Sequence, residues 1–287
     1  MTISAAERKR RRGFIGSSDV AALFGMSRWA NMGDVYLSKV TEPEKEEEED
    51  ADSKAVGTWL ESAILDWFDN HLGVTTERHL RFESGVYAAN TDGCIIGPGR
   101  RTARVEAVVE AKVSSEVHRW GPSGSDEVPD EYVLQVHHQM YCSEAEKAYI
   151  VVLLTGFGTE FRVYEIERNE AIVDAILKRG ELFWTYVDTR TPPPETPRLE
   201  SVKNIARVPE KTVQVDRTAV DAYKQHHEEF LEMQRVDREL YAAMLLQLDD
   251  AEVGEFDGGR VEFFSSPRKG YEVKPTTVRR LKVVYTE

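Results

Sequence analysis

Asp92 and, eighteen residues later, Glu110 followed by Ala111 and Lys112 are residue types that can hold a hard divalent cation and activate water. Residues 104–113 read Arg-Val-Glu-Ala-Val-Val-Glu-Ala-Lys-Val, apolar at every odd position: Val105, Ala107, Val109, Ala111 and Val113. A period of two predicts a strand with one face buried, and sets Glu110 and Lys112 together on the other, half-exposed face. By the rise per residue they stand about 7 Å apart. Asp92 would arrive from a nearby turn. An ammonium beside two carboxylates supplies positive charge where negative charge builds up on phosphorus. The same Glu-x-Lys also suits a plain solvated face with a cross-strand charge pair. The segments around it decide between the two.

Upstream, Arg8, Lys9, Arg10, Arg11 and Arg12 form an unbroken basic run before Gly13-Phe-Ile-Gly-Ser-Ser-Asp-Val-Ala-Ala-Leu-Phe-Gly25. Ser17 or Ser18 is expected to cap a short helix with Val20, Ala21, Leu23 and Phe24 inward and Gly25 as its stop. Free amides, a serine hydroxyl and a preceding arginine make a phosphate seat, though the segment also reads as an ordinary capped helix. Residues 53–72 predict an amphipathic helix with Leu60, Ile64, Trp67, Phe68 and His71 as its stripe and Glu61 at the edge.

Pro129 opens another predicted helix, to Cys142, packing Tyr132, Val133, Val136 and Met140, with Gln135 on the side of Tyr132 and Gln139. His137 and His138 lack a ligand partner at helical spacing and read as packing or surface. Ala148–Leu154 and Glu160–Ile166 predict a hairpin, and Asn169–Val187 a closing helix. The order is helix, helix, three strands carrying the acid cluster, helix, two strands, helix.

The chain has 287 residues, enough for one sizeable core with or without a small appendage. Taken as a total, its net charge of −14 argues against a nucleic-acid partner. Residues 42–52, however, hold eight acids against Lys45, a net −7 and half of the excess, which predicts a solvated loop. The basic run can then still serve DNA, because phosphate attraction acts over about a Debye length. Two cysteines, Cys94 and Cys142, are too few for a zinc or iron–sulfur site or a disulfide framework. With no long apolar run and no signal-peptide pattern, the expectation is a cytoplasmic protein without a membrane partner.

Beyond residue 190 the composition changes. Thr191-Pro-Pro-Pro-Glu-Thr-Pro197 predicts a stiff polyproline linker across 191–210. The remaining 211–287 predicts a small α+β appendage: a long helix over Val215–Asp249, with Tyr223, Phe230, Met233, Val236, Leu240, Met244 and Leu248 as its stripe, then strands at Gly259–Phe264, Tyr271–Val273 and Arg280–Tyr285. It suits packing or subunit contact better than clamping DNA.

Taken in order, Arg11-x-Gly13-x-Ile15-Gly16-Ser17-Ser18-Asp19-Val20, Gly57-x-x-x-Glu61, Asp92-Gly93, Glu110-Ala111-Lys112 and Tyr132-x-x-Gln135-Val136 resemble the motifs of the lambda-type phage exonucleases. This is the YqaJ-like viral recombinase family, a branch of the PD-(D/E)XK nucleases. The resemblance covers about residues 8–190 and implies an α/β restriction-endonuclease-like core over 1–190, a mixed sheet flanked by helices.

It further implies a magnesium-dependent deoxyribonuclease, with manganese able to substitute, digesting linear double-stranded DNA from 5′ ends. The product would be a 3′ single strand for an annealing partner. Asp92, Glu110, the carbonyl of Ala111 and, from a helix, Glu61 match metal ligands. Lys112 matches the catalytic lysine and Gln135 the glutamine that steadies it or the water. Arg11 and Ser18 match the 5′-phosphate pair, with Arg12 and Ser17 as neighbours one position away. Thr91 stands where a proline is common. A ring-like homo-oligomer is implied, a trimer with a monomer as its competitor. The alternatives are an endonuclease on the same fold, or a catalytically silent protein that binds DNA ends.

Overall fold

The computed structural model describes residues 10–43, 51–97, 104–156 and 158–263, with the backbone alone at 51–55. The described chain runs β1 (Ile15–Gly16), α1 (Ser17–Leu23), α2 (Met32–Val40), α3 (Ala51–Leu72), β2 (Thr76–Arg78), β3 (Arg81–Ser84), β4 (Tyr87–Asn90), β5 (Gly93–Ile96) and β6 (Val105–Ser114). It continues through α4 (Asp130–Ser143), β7 (Lys147–Leu154), β8 (Glu160–Glu167), α5 (Glu170–Thr189), α6 (Leu199–Lys203), α7 (Arg217–Leu248), β9 (Val253–Phe256) and β10 (Gly259–Glu262). Two compact units divide it, residues 1–209 and 210–287.

The first unit is built on a five-stranded sheet in the order β2-β5-β6-β7-β8. β6 and β7 pair in parallel and the other neighbours antiparallel. A parallel pair needs a crossover, and α4 lies within it. A smaller sheet, β1-β4-β3, stands apart. The period of two in β6 is present, but both faces of this central strand are covered, contrary to the half-exposed face expected. Val109 packs with Ile64, Leu65 and Phe68 of α3, while Val108 packs with Val136 and Met140 of α4. Glu110 therefore sits inside, only 3% exposed.

Several expectations need correcting. Neither Ser17 nor Ser18 caps α1: Gly16 is the cap, and Asp19 turns back to accept the Gly16 N–H at 3.0 Å. Gly25 does follow the helix end, at φ +70°, where a side chain would be strained. His71 is exposed and stacks on Trp67, and Leu65 takes the buried place instead. Between α3 and α4 there are five strands rather than three, because those of three or four residues are too short to show a period. Residues 44–50 of the acidic segment, Arg8, Lys9, Phe264 and the strands expected at Tyr271–Val273 and Arg280–Tyr285 lie outside the described residues.

The proline-rich segment belongs to the first unit rather than spacing it from the second. It straps across α2: Asn31 Nδ2 donates to Thr196 O, and Arg198 N–H donates to Asp34 Oδ1 at 2.8 Å. Gly33 permits this approach, since a Cβ there would stand 2.3 Å from the Glu195 carbonyl and 2.8 Å from Pro197 N. Asp34 is buried, which alone would raise its pKa; hydrogen bonds from Ser201 and from the Asn31 and Arg198 amides outweigh burial and hold it below the ordinary value.

A depressed carboxylate contributes stability that is present above its unfolded pKa and lost as pH falls through the folded one. Gly33→Ala should thus displace residues 195–198 and cost about 1–3 kcal/mol, as overpacking does. In the wild type the strap should loosen below about pH 4, the ordinary Asp range. Denaturant unfolding and limited proteolysis between residues 191 and 209 measure both, and an unshifted midpoint with no new cleavage in Gly33→Ala would refute the strap.

The second unit is α7 followed by the antiparallel hairpin β9–β10. Leu248 at the end of α7 is buried, and Gly254 leaves room for it.

Candidate active site

The turn between β4 and β5 carries Asp92. Thr91 pins that turn, its N–H donating to Leu80 O at 2.9 Å while the Asp92 carbonyl accepts from His79 N–H at 3.1 Å. The first of these is a bond a proline at 91 could not make. Pairing of β5 with β6 stops at Gly93 and Val109. Just beyond, the Asp92 carboxylate takes the place of a strand neighbour: Oδ2 accepts the Ala111 N–H at 2.9 Å. A side chain thus continues the ladder and brings the first carboxylate to the second.

Glu110 points toward α4, where three donors meet it. Lys112 Nζ and Gln135 Nε2 donate to Oε1, each at 2.5 Å, and Gln139 Nε2 donates to Oε2 at 2.6 Å. Gln135 and Gln139 lie one helical turn apart, so α4 offers both amides to a single carboxylate. Gln139 is fully buried and also donates to Asn90 O at 3.3 Å, next to the Asp92 turn. The Lys112 ammonium lies 5.1 Å from the centre of the Tyr132 ring, and Tyr132 stacks on Trp120. An aromatic wall thereby orients the lysine.

The electrostatics follow from this enclosure. Burial, and then the charge of Glu110, push the Asp92 carboxyl well above the ordinary range, against the pull of Lys112. Burial works to lower Lys112, but Glu110 and Asp92 more than offset it and its pKa rises. A buried carboxylate, Glu110, and a half-buried one, Asp92, kept close at a cost, with a backbone carbonyl between Glu110 and Lys112, form an all-oxygen donor set suited to magnesium or manganese. No three His, Cys, Asp or Glu side chains among the described residues converge as a ready metal cluster. Glu61 on α3 is near enough to act on Asp92, yet turns to His79 Nδ1 at 3.4 Å.

The four residues expected at a phosphate pocket part ways. Arg11 and Ser18 are exposed. Ser17 is buried, and its hydroxyl shares a 3.0 Å hydrogen bond with His138 Nδ1; burial pushes His138 down to about 4, so the ring is neutral near pH 7. Arg12 is engaged by the Glu42 carboxylate. Lys39 braces this corner, donating to Asp19 at 2.8 Å and to Arg11 O at 3.2 Å. Sequence reasoning placed Gln139 beside Gln135 but gave it no role. The signal was present: a second glutamine four residues on, facing the same strand.

Residues 8–146 match the YqaJ-like viral recombinase domain. The uncharacterized protein YqaJ of Bacillus subtilis (strain 168) is 27% identical over 266 residues, covering 86% of this chain and 78% of that protein. In structure the chain is similar to the alkaline exonuclease LHK-Exo of Laribacter hongkongensis in complex with dAMP. That likeness has a TM-score of 0.50 at 16% identity, over 66% of this chain and 94% of LHK-Exo. The mixed sheet flanked by helices is the PD-(D/E)XK fold, shared with that exonuclease. The matched stretch holds every site residue from Arg11 to Gln139, and over that stretch the chain is similar to the YqaJ-like viral recombinase family.

Proposed function

We propose that this protein is a metal-dependent exonuclease that digests linear double-stranded DNA from 5′ ends, leaving 3′ single strands for phage-type recombination. One observation carries the reading: half-buried Asp92 and buried Glu110 are brought to neighbouring positions with Lys112 beside them. Asp92, Glu110 and the Ala111 carbonyl would hold the metal, with Glu61 able to swing toward it. When bound, a divalent cation neutralises the phosphate and lowers the pKa of water.

The chain's own residues do the rest. Lys112, fixed by Glu110 and Tyr132, meets the charge that develops on the phosphoryl oxygens. Gln135 and Gln139 hold Glu110 in its orientation. Attack of water on phosphorus breaks the bond to the 3′ oxygen, releasing a nucleotide and leaving a new 5′-phosphate. Arg11 and Ser18, by the likeness of their motif, would bind that 5′-phosphate and seat the next nucleotide.

Such an enzyme would act in the cytoplasm, on DNA ends, with a single-strand annealing protein as the natural consumer of its product. Among the described residues no helix is long and apolar enough to cross a membrane. The nuclease units would assemble as a trimeric ring, against a monomer as the competing state.

End-labelled linear duplex and a covalently closed circle, each with and without magnesium, test the reading. The linear form should be consumed only with metal and the circle spared; nicking or linearisation of the circle would make the protein an endonuclease, and no cleavage of either a silent binder. A 5′-phosphate should speed digestion about tenfold or more over a 5′-hydroxyl, in line with one charge-assisted contact. Arg11→Ala should erase the difference. Equal wild-type rates on both ends would remove Arg11 and Ser18 from the role.

A further inference from the structure

α7 presents a seam that is complementary to itself. Along its 32 residues, Ala219, Tyr223, His226, Phe230, Met233, Asp237, Leu240 and Met244 recur at alternating spacings of four and three. That spacing keeps them on one stripe, about 38 Å long, of the α-helix. In the last turn Leu248 is buried beside the hairpin. Within the stripe Tyr223, Phe230, Met233 and Leu240 are about half or more exposed. An apolar face of this length is not left in water without a reason.

The two polar members of the stripe identify what covers it. His226 and Asp237 lie at equal distances from a point between Leu231 and Glu232. Turning a second copy of the helix end for end about that point puts His226 against Asp237 of the other copy, twice. The same operation sets Phe230 against Met233, Tyr223 against Leu240, and Ala219 against the long side chain of Met244. Every seam position thus meets a partner of complementary polarity or size. A parallel pair would instead bury Asp237 against Asp237, which like charges oppose. A helix with no break at its midpoint cannot fold back on itself, so the complement belongs to another chain.

We propose that α7 is an antiparallel dimerisation helix, its register set by reciprocal His226–Asp237 contacts. The occupant of the seam is a second copy of this protein, related by a two-fold axis. The inference is independent of the chemistry assigned to the nuclease unit. If nuclease units are otherwise single, the protein is a dimer; if they form trimers, two-fold contacts through α7 raise the count to an even multiple.

Sedimentation equilibrium or light scattering on the full chain reads this directly against the protomer mass of 32.7 kDa. An even number of protomers is expected, and one or three would overturn the proposal. Phe230→Glu should halve the wild-type count; an unchanged even mass would place the interface elsewhere and also overturn it. His226→Asp sets two carboxylates together in the seam and should weaken association at least about tenfold. His226→Asp combined with Asp237→His restores the pair with its members exchanged and should recover wild-type association. Failure of that rescue, with helicity unchanged by circular dichroism, would reject the antiparallel register.

Discussion

Asp92→Asn is expected to abolish magnesium-dependent DNA hydrolysis while raising the melting temperature of the metal-free protein. Both effects have one cause. Asp92 is forced above the ordinary carboxylate range by burial and by Glu110. A raised folded-state pKa means that ionising the group costs stability once the pH exceeds the unfolded value. The amide keeps the shape and can still accept the Ala111 N–H, but carries no charge for a cation. A gain of about 2–4 °C, the scale of roughly 1 kcal/mol in a domain of this size, is a reasonable expectation. Glu110→Gln should be equally inactive. Lys112→Ala should lose at least about 10²–10³-fold in the chemical step, as loss of a transition-state donor does, and much less in DNA binding. Initial rates on linear duplex, binding measured with calcium in place of magnesium, and thermal scans in chelator separate these effects. Residual wild-type hydrolysis in excess chelator, or an active Asp92→Asn variant, would sink the assignment.

Gln139→Leu should be the most damaging substitution outside the charged residues. The leucine matches the glutamine in size but removes the donor to Glu110 Oε2 and the bond to Asn90 O. A buried acceptor left without its partner costs about 1–3 kcal/mol, more when charged. Activity should fall with it, because Glu110 is then free to turn. Gln135→Ala, half-buried and facing Oε1 alongside Lys112, should cost less stability for a similar loss of rate. Denaturant unfolding and single-turnover rates measured on the same preparations check the order. If Gln139→Leu unfolds at the wild-type midpoint, the glutamine does not hold Glu110 in solution.

Much of the site was legible because it is written in local patterns. The alternation in 105–113 located β6, the ordered motifs supplied the family, and Pro129 marked the start of α4. What stayed hidden depends on contacts between distant segments. Alternation cannot say whether the second face of a strand meets solvent or a helix, so Glu110 was expected half-exposed when α4 covers it. Ser17 and Ser18 are adjacent and chemically alike, and only the approach of His138 from α4 draws one inward. α2 escaped notice because its cap, Asn31, precedes a short stretch whose burial depends on the strap at 195–198. The prolines of that strap suggest a spacer in sequence, and Gly33 alone hints that backbone comes close.

The amide donors to Glu110 arrive late in the chain. Gln135 and Gln139 are encoded 25 and 29 residues after the carboxylate they hold, and β7, which locks β6 from the other side, is later still. During synthesis, Asp92, Glu110 and Lys112 leave the ribosome as an unsupported cluster of charges. The pocket closes around them only when the crossover helix has emerged and docked. A truncated translation product ending before residue 135 would carry Asp92, Glu110 and Lys112 and yet lack both amide partners of Glu110. With the proposed activity, competence to cut DNA would in this way be tied to completion of the fold.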